Sequence, residues 1–354
     1  MNAPLHSLNG KGVLVLPHLR IQNANAISSP LTHGFPAMTA FLGLMWALER
    51  KLAAAEVPLW LEKVGVVCHW WEEQVHDGYV KTFRLTRNPV GKDGSTAAIV
   101  EEGRIHLDIT LVFQVDGGEP EAEGNVLFAS AERRRDVAWQ VRELLGIMRV
   151  AGGSVLPPKP QPGQFITPQL EALDGSAEDR AKQLRRLRRR WLPGFTLVGR
   201  DELLQRRLKQ LQAHDEGATA LDAWLDLSRF NLHSAQDQNG KVSWQNDRPA
   251  DAGWLVPMPV GYAALSDLYA GGQVANARDE ATAFRFVESV YSLGEWIGPH
   301  RINRLDDLLW WGEHDAQTGL YRCRSGYTAA ETEHVGDAPE ARPSADSAHT
   351  AVTS

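Results

Sequence analysis

Ile105-His-Leu-Asp-Ile-Thr-Leu-Val-Phe-Gln-Val115 alternates: Ile105, Leu107, Ile109, Leu111, Phe113 and Val115 fall on one side, His106, Asp108, Thr110, Val112 and Gln114 on the other. Successive strand side chains point to opposite faces, so this stretch reads as a β-strand with one dry and one mostly polar face. Such a pattern predicts an antiparallel sheet half-open to water. Upstream, Phe83 to Glu102 contains Arg-Asn-Pro, a Lys92-Asp-Gly turn and a Glu101-Glu-Gly turn. That predicts a hairpin or arm projecting from the sheet. Val64 to Gln74 reads as another strand. So does Val13 to Gln22, with Val13, Val15, Leu19 and Ile21 assigned to one face. Between them Ala37 to Ala55 reads as a helix, apolar nearly all round in its first half, which predicts burial. Downstream, Ser130 to Arg149 reads as a helix with the stripe Val137, Val141, Leu144, Leu145 and Met148, stopped by Gly152-Gly153-Ser154. Strand, helix, strand, arm, strand, helix predicts an α+β fold whose first part is an RRM-like (ferredoxin-like) palm with an inserted arm.

Further on, Leu156 to Pro168 is proline-rich and reads as a linker. Ala177 to Trp191 and Asp201 to Gln212 read as basic helices around a short strand at Phe195 to Val198. Asp237 to Pro249 reads as a polar loop, and Trp254 to Trp311 as short mixed elements. The expected division is a palm over 11–200 with its arm near 80–104, a helical and mixed region over 201–326, and a disordered acidic tail over 327–354. The chain has 354 residues, of which 43% are hydrophobic and 23% charged, as in soluble globular proteins. The apolar stretch within Phe35 to Leu48 is too short to span a bilayer, and no secretory leader is visible before Leu8. The only cysteines, Cys68 and Cys323, have no paired spacing, which speaks against a disulfide framework and for a cytoplasmic location. No cofactor or metal site is expected. The net charge of −7 is uneven: Arg180 to Lys209 carries +9 and Thr328 to Ser354 carries −4. Local patches, rather than the total, decide where a polyanion docks.

Several segments can meet nucleic acid. Gln22 to Ser29 offers Gln22, Asn23, Asn25, Ser28 and Ser29 at a strand end. Amides and hydroxyls can read base edges and sugar hydroxyls of splayed RNA, yet equally can hydrogen-bond their own backbone in Asx turns. The arm offers Arg84, Arg87, Asn88, Lys92 and Ser95, which suit phosphate or simply solvent. Gly152, Gly153 and Ser154 allow close approach of a backbone; no Gly-Lys-Ser/Thr follows, so this is no P-loop. In Leu184-Arg-Arg-Leu-Arg-Arg-Arg-Trp191, Leu184, Leu187 and Trp191 share one helical face. The arginines can contact phosphates or only water. Trp70-Trp71 and Trp310-Trp311 are expected in a core or interface. Catalysis has little to stand on. No His-Glu-x-x-His spacing occurs, and the adjacent pairs Glu72-Glu73 and Glu101-Glu102 diverge on a strand. His33 is the one candidate general base, for metal-independent RNA cleavage.

Certain stretches are long and unusual: Leu19-Arg-Ile-Gln-Asn-Ala-Asn-Ala-Ile-Ser-Ser-Pro-Leu-Thr32, Leu85-Thr-Arg-Asn-Pro89, Asp93 to Arg104, Ala151-Gly-Gly-Ser154, Leu192-Pro-Gly-Phe195, Gly253-Trp-Leu-Val-Pro257, Asn276-Ala-Arg-Asp279, Arg285-Phe-Val-Glu288, Gly294-Glu-Trp296, Pro299-His-Arg301 and Gly319-Leu-Tyr-Arg322. Over about 13–324 the chain resembles the Csy-two family, the Cas five-like subunits of type I-F CRISPR (Csy-type Cascade) surveillance complexes. The resemblance implies a non-catalytic RNA-binding subunit that holds the 5′ handle of the crRNA. Its implied partners are the large subunit, an adjacent backbone subunit and, through the complex, target DNA, with no membrane. A different subunit cuts the crRNA in that family, which weakens the case for His33; crRNA-processing endoribonuclease is the alternative. The handle-binding candidates are Gln22, Asn23, Asn25, Ser28, Ser29, Arg84, Arg87, Asn88, Ser95, Gly152, Gly153, Ser154, Arg278, Arg285 and Arg301.

Overall fold

A computed structural model of the chain describes residues 11–87, 90–118, 124–173, 175–229, 232–236, 239–246 and 253–328. The main strands of its first half are β1 (Lys11–Asn25), β2 (Trp60–Glu73), β3 (Arg104–Asp116) and β4 (Gly153–Leu156). They lie in the order β4-β1-β3-β2, and each neighbouring pair is antiparallel. Helix α1 (Met38–Ala54) connects β1 to β2, and α2 (Ala131–Gly146) connects β3 to β4. The sequence explains both helices. α1 buries Met38, Phe41, Leu42, Met45, Leu48 and Leu52 along one side. α2 buries Val137, Val141 and Leu145, and the Ser130 hydroxyl caps it by accepting from the Arg133 N–H. Both helices cover Leu14, Leu16, Ile109, Leu111 and Phe113.

The same sheet continues from β2 through β5 (Phe195–Gly199), β7 (Val287–Ile297), β6 (Trp254–Ala264), β9 (Leu320–Ser325) and β8 (Trp310–Asp315). β8 then returns to β2, where Trp310 faces Val64, and so closes a ring. The Trp310 indole is buried and donates from Nε1 to the Leu197 carbonyl at 2.9 Å. The opposite face carries α3 (Ala177–Arg190), α4 (Asp201–Gln212) and α5 (Ala220–Ser228). α3 places Leu184, Leu187 and the flanking Trp191 on Val13, Val15, Val67, Val112 and Val198. α4 and α5 place Leu204, Ala223 and Trp224 on Leu293. The protein is thus a mixed α+β fold around a large antiparallel sheet with helices on both faces.

Several expectations need correction. The polar side of β3 is solvated at one end only: His106 and Asp108 stay half-exposed, whereas Thr110, Val112 and Gln114 are buried on the face that carries the second helical layer. Val13 and Val15 do not share a face with Leu19 and Ile21. The register shifts between Leu16 and Leu19, where His18 has φ +47°, and this bulge inverts the phase. α1 is not buried all round, for Gly43 and Trp46 are exposed. α2 ends at Gly146, before the Gly152-Gly153 pair. Trp254 to Trp311 holds two long strands rather than short elements, and within the polar loop Val242–Asn246 pairs with Leu232–Gln236 as a hairpin. Helix α5 falls in a stretch for which the sequence pattern predicts no element. The acidic tail beyond Thr328 lies outside the described residues.

Candidate nucleic-acid interface

Two backbone irregularities meet at the end of β1. The register of β1 on β3 shifts between Ile21 and Ala24, and Asn23 sits in the bulge with φ +56°. Its backbone N–H donates to His106 Nδ1 at 3.1 Å. The bulge turns Gln22 and Asn23, two neighbouring residues, outward together. Beside it, Arg149–Val150 pairs with Gly153 and Ser154, and the two-residue turn Ala151-Gly152 has φ +47° and +81°. Both values are positive, as a type I′ hairpin requires. So the glycines shape a hairpin rather than stop the helix. Gly153 has a separate role: a Cβ there would lie 2.7 Å from the Ala24 nitrogen and 2.8 Å from the Gln22 oxygen. Only glycine lets this hairpin close on β1, where Gln22 faces Ser154. The Ala151 carbonyl accepts from Asn25 N–H at 2.8 Å and fastens turn to strand.

Of these residues Asn25, Arg149, Ala151 and Gly152 line an open cleft of about 780 Å³, while Gln22, Asn23, Gly153 and Ser154 lie outside its lining. Asn25, Ser28, Arg149 and Gly152 line it from one side; Thr39, Gly43 and Trp46 of α1 form its floor; Tyr262 and Tyr321, opposite each other on β6 and β9, close the far side. Trp46 is 60% exposed and Tyr262 40%, so both offer ring faces to a ligand. Arg149 is exposed, and its guanidinium donates to the Gly152 carbonyl at 3.0 Å. Burial pushes the Tyr321 phenol up to about 12, so it stays a neutral donor. The cleft therefore combines flat aromatic faces, amide and hydroxyl groups and one cation. Arg149, Trp46, Tyr262 and Tyr321 were missed in sequence. Arg149 borders the glycine turn, a signal that was available, whereas the tyrosines arrive from another part of the chain.

The other candidates lie in different settings. Asn25 also makes an Asx turn, accepting from Ile27 N–H at 3.1 Å and donating to its carbonyl at 2.7 Å. The Ser28 hydroxyl accepts from Ala37 N–H at 3.0 Å at the entrance to α1. The buried Ser29 hydroxyl bonds Thr32 at 2.7 Å. At the arm root, Arg84 donates to Gln74 Oε1 at 2.6 Å. Arg87 ends the short strand Leu85–Arg87 and Asn88 lies outside the described residues. Ser95 donates to Asp93 at 2.7 Å. The arm leaves the sheet beside the cleft end of β1, since Arg104 faces Asn25. Arg278 is exposed in the connection between β6 and β7. Arg285 is half-buried against Gly319 of the turn between β8 and β9, and its Nε has no hydrogen-bond partner among the described residues. Arg301 pairs with the buried Glu295 at 3.3 Å, and Arg200 pairs with the same carboxylate. Glu295 is on β7, away from the cleft.

The basic helix divides similarly. Arg188 donates to the His300 and Ile302 carbonyls, Arg186 pairs with Glu171, and Arg190 stacks on Phe165 at 4.2 Å. Arg185 and Arg189 are exposed one turn apart. His33 is 63% exposed at its side chain, and its Nδ1 lies 2.9 Å from Glu73 Oε1. Among the described residues no cluster of His, Cys, Asp and Glu could hold a metal ion, and no helix is long and apolar enough to cross a membrane. Cys68 and Cys323 are both buried free thiols.

Comparison with known proteins gives two findings. A family model described as CRISPR-associated protein (Cas_Csy2) matches residues 14–323. A protein of Pseudomonas aeruginosa (strain UCBPP-PA14) named "CRISPR-associated protein Csy2" is 47% identical over 322 residues, which cover 88% of this chain and 94% of that protein.

Proposed function

Because the chain belongs to the CRISPR-associated Csy2 family, we propose that it is the non-catalytic subunit of a type I-F surveillance complex that binds the 5′ handle of the crRNA in the cleft at the end of β1. The observation that carries this reading is the convergence of Asn25, Ser28, the Gly152 turn and Arg149 with exposed aromatic rings in one open groove, with the bulged Gln22-Asn23 pair next along β1. Single-stranded RNA is held by that combination: stacking surfaces, edge-reading amides, and close backbone approach at glycine. In this reading β4-β1-β3-β2 with α1 and α2 is an RRM-like palm, supported by the strand order. The palm spans 11–200 with the arm near 80–104 and carries the region 201–326 on its flank. Asn25, Ser28 and Gly152 act from the cleft, and Gln22, Asn23, Gly153 and Ser154 from the strand ends beside it. Arg84, Arg87, Asn88 and Ser95 act from the arm, and Arg278 and Arg285 from the second half. Ser29 and Arg301 complete the set of handle-binding candidates, with Ser29 bonded to Thr32 and Arg301 paired with Glu295. The large subunit and an adjacent backbone subunit dock on the remaining surface, target DNA is met through the complex, and the assembly works in the cytoplasm without a cofactor.

Binding of handle RNA by the full chain, measured across a salt series, tests this. Replacing Arg149 by Ala should weaken binding and reduce the magnitude of the salt slope by about 0.7, the loss of one phosphate contact on a single strand. Unchanged affinity and slope would remove the cleft from RNA binding. The second reading, a metal-independent endoribonuclease, rests on the exposed His33 and its largely buried partner Glu73. Cleavage of precursor RNA in chelator that disappears in His33→Ala would replace the first reading.

A further inference from the structure

A second pocket of about 410 Å³ lies next to the cleft. Pro36 and Ala37 line both, so only the entrance to α1 separates them. Its walls are aromatic. Trp70, Trp71, Phe195 and Trp254 line it and are 51, 52, 48 and 47% exposed, respectively. The Phe195 and Trp254 rings meet edge-to-face at 5.6 Å, Trp254 tilts against Trp296 at 6.2 Å, and Trp296 meets Phe35 at 4.9 Å. These side chains come from three strands of the second half of the sheet, one of the first, and, for Phe35, the loop before α1. Trp70 and Trp71 follow the register shift at His69, pair with Asp108 and Leu107, and both line the pocket. The earlier expectation that Trp70-Trp71 is core or interface therefore fails as far as core is concerned.

The chemistry of the walls selects the occupant. Half-exposed indoles on a monomer surface mark a place where a flat apolar group is to be covered. Among the described residues no Lys or Arg lines the pocket, so phosphate has no partner inside it. His33 stands at the mouth with Nδ1 fixed on Glu73 at 2.9 Å, which leaves Nε2 to meet a ligand edge. A flat ring that stacks on indole, carries hydrogen-bonding edges and keeps its phosphate outside is a nucleobase.

Building on the handle-binding reading, we propose that the Trp70–Trp254 pocket receives one unstacked base of the RNA whose backbone runs through the adjacent cleft, with His33 Nε2 at the base edge. The shared Pro36-Ala37 step gives the strand a continuous path from one to the other.

The experiment uses the full-length chain and repeat-derived handle RNA in which each nucleotide in turn is made abasic. One position should lose about tenfold in affinity, the size expected of a single base–aromatic stack. Trp254→Leu should weaken the intact RNA by the same factor, and the two changes together should cost no more than either alone. If Trp254→Leu fails to fold by thermal melting, Trp70→Leu takes its place in the same cycle. Losses that multiply at every position would overturn the pocket while leaving the cleft reading intact, provided Arg149→Ala still weakens binding. If neither base removal nor Arg149→Ala matters, the handle reading falls too. Trp variants that bind RNA normally but release a co-purifying protein subunit would overturn the proposal in favour of a protein docking site.

Discussion

Ala151 holds φ +47°, a conformation that costs an L-residue with a Cβ about 1–2 kcal/mol and glycine almost nothing. Ala151→Gly should therefore raise stability, by up to about 1 kcal/mol after the extra unfolded-state freedom of glycine is subtracted. Denaturant melting checks this, and a lowered midpoint would contradict the turn assignment. Gly153→Ala should do the reverse and loosen β4 from β1, because the added carbon meets backbone atoms that cannot move away cheaply. His69 tells a different story. Its ring stacks on His18 at 4.1 Å and bonds Thr110 and the Pro193 carbonyl, each at 2.7 Å. Burial holds its pKa below the ordinary 6.5, and His18 acts in the same sense. The folded protein thus binds fewer protons there than the unfolded chain. That contribution to stability is full above 6.5 and is lost as pH falls through the folded value. Acid titration of stability should show this loss below neutrality, and His69→Asn should reduce it; an identical pH profile in the variant would contradict the assignment.

At the scale of elements, helices and strands with unbroken periodicity were legible. α1, α3, α4 and β3 begin and end within about two residues of where their patterns predict. The bulges were not legible, because a one-residue irregularity changes the facing of every later residue without changing composition. That is why Leu19 and Ile21 were put with Val13 and Val15. For the site, Asn25 and Gly152 are legible, since they stand in polar and glycine-rich stretches. Trp46 was hidden, since an apolar helix face looks the same in sequence whether another element covers it or not. The basic helix α3 shows how packing and surface roles separate. Trp191 is almost fully buried on the sheet, so Trp191→Ala should cost about 3–5 kcal/mol. Arg185→Ala with Arg189→Ala, both on the exposed side, should stay within about 0.5 kcal/mol per site. Equal losses from the two changes would mean that α3 is seated by its charges, contrary to the packing.

The whole molecule joins two halves through one sheet, and the ring through β2 ties residues more than two hundred positions apart, as at Val64 and Trp310. Local patterns carry no information on such pairings, so the ring and the arrival of Tyr262 and Tyr321 at the cleft could not be read from the sequence. The cleft exists only because both halves contribute to it: Asn25, Arg149 and Trp46 from one, the tyrosines from the other. A polyanion site on a chain of charge −7 also becomes reasonable at this scale, since one open groove with its own local chemistry suffices. The most direct test of that account is ultraviolet crosslinking of the RNA-loaded complex, purified through the full-length chain, with the crosslinked peptides read by mass spectrometry. The account predicts that handle nucleotides attach to peptides containing Asn25, Arg149 or Tyr262. Crosslinks confined to the α3 face around Arg185 and Arg189, with none in the cleft, would contradict it.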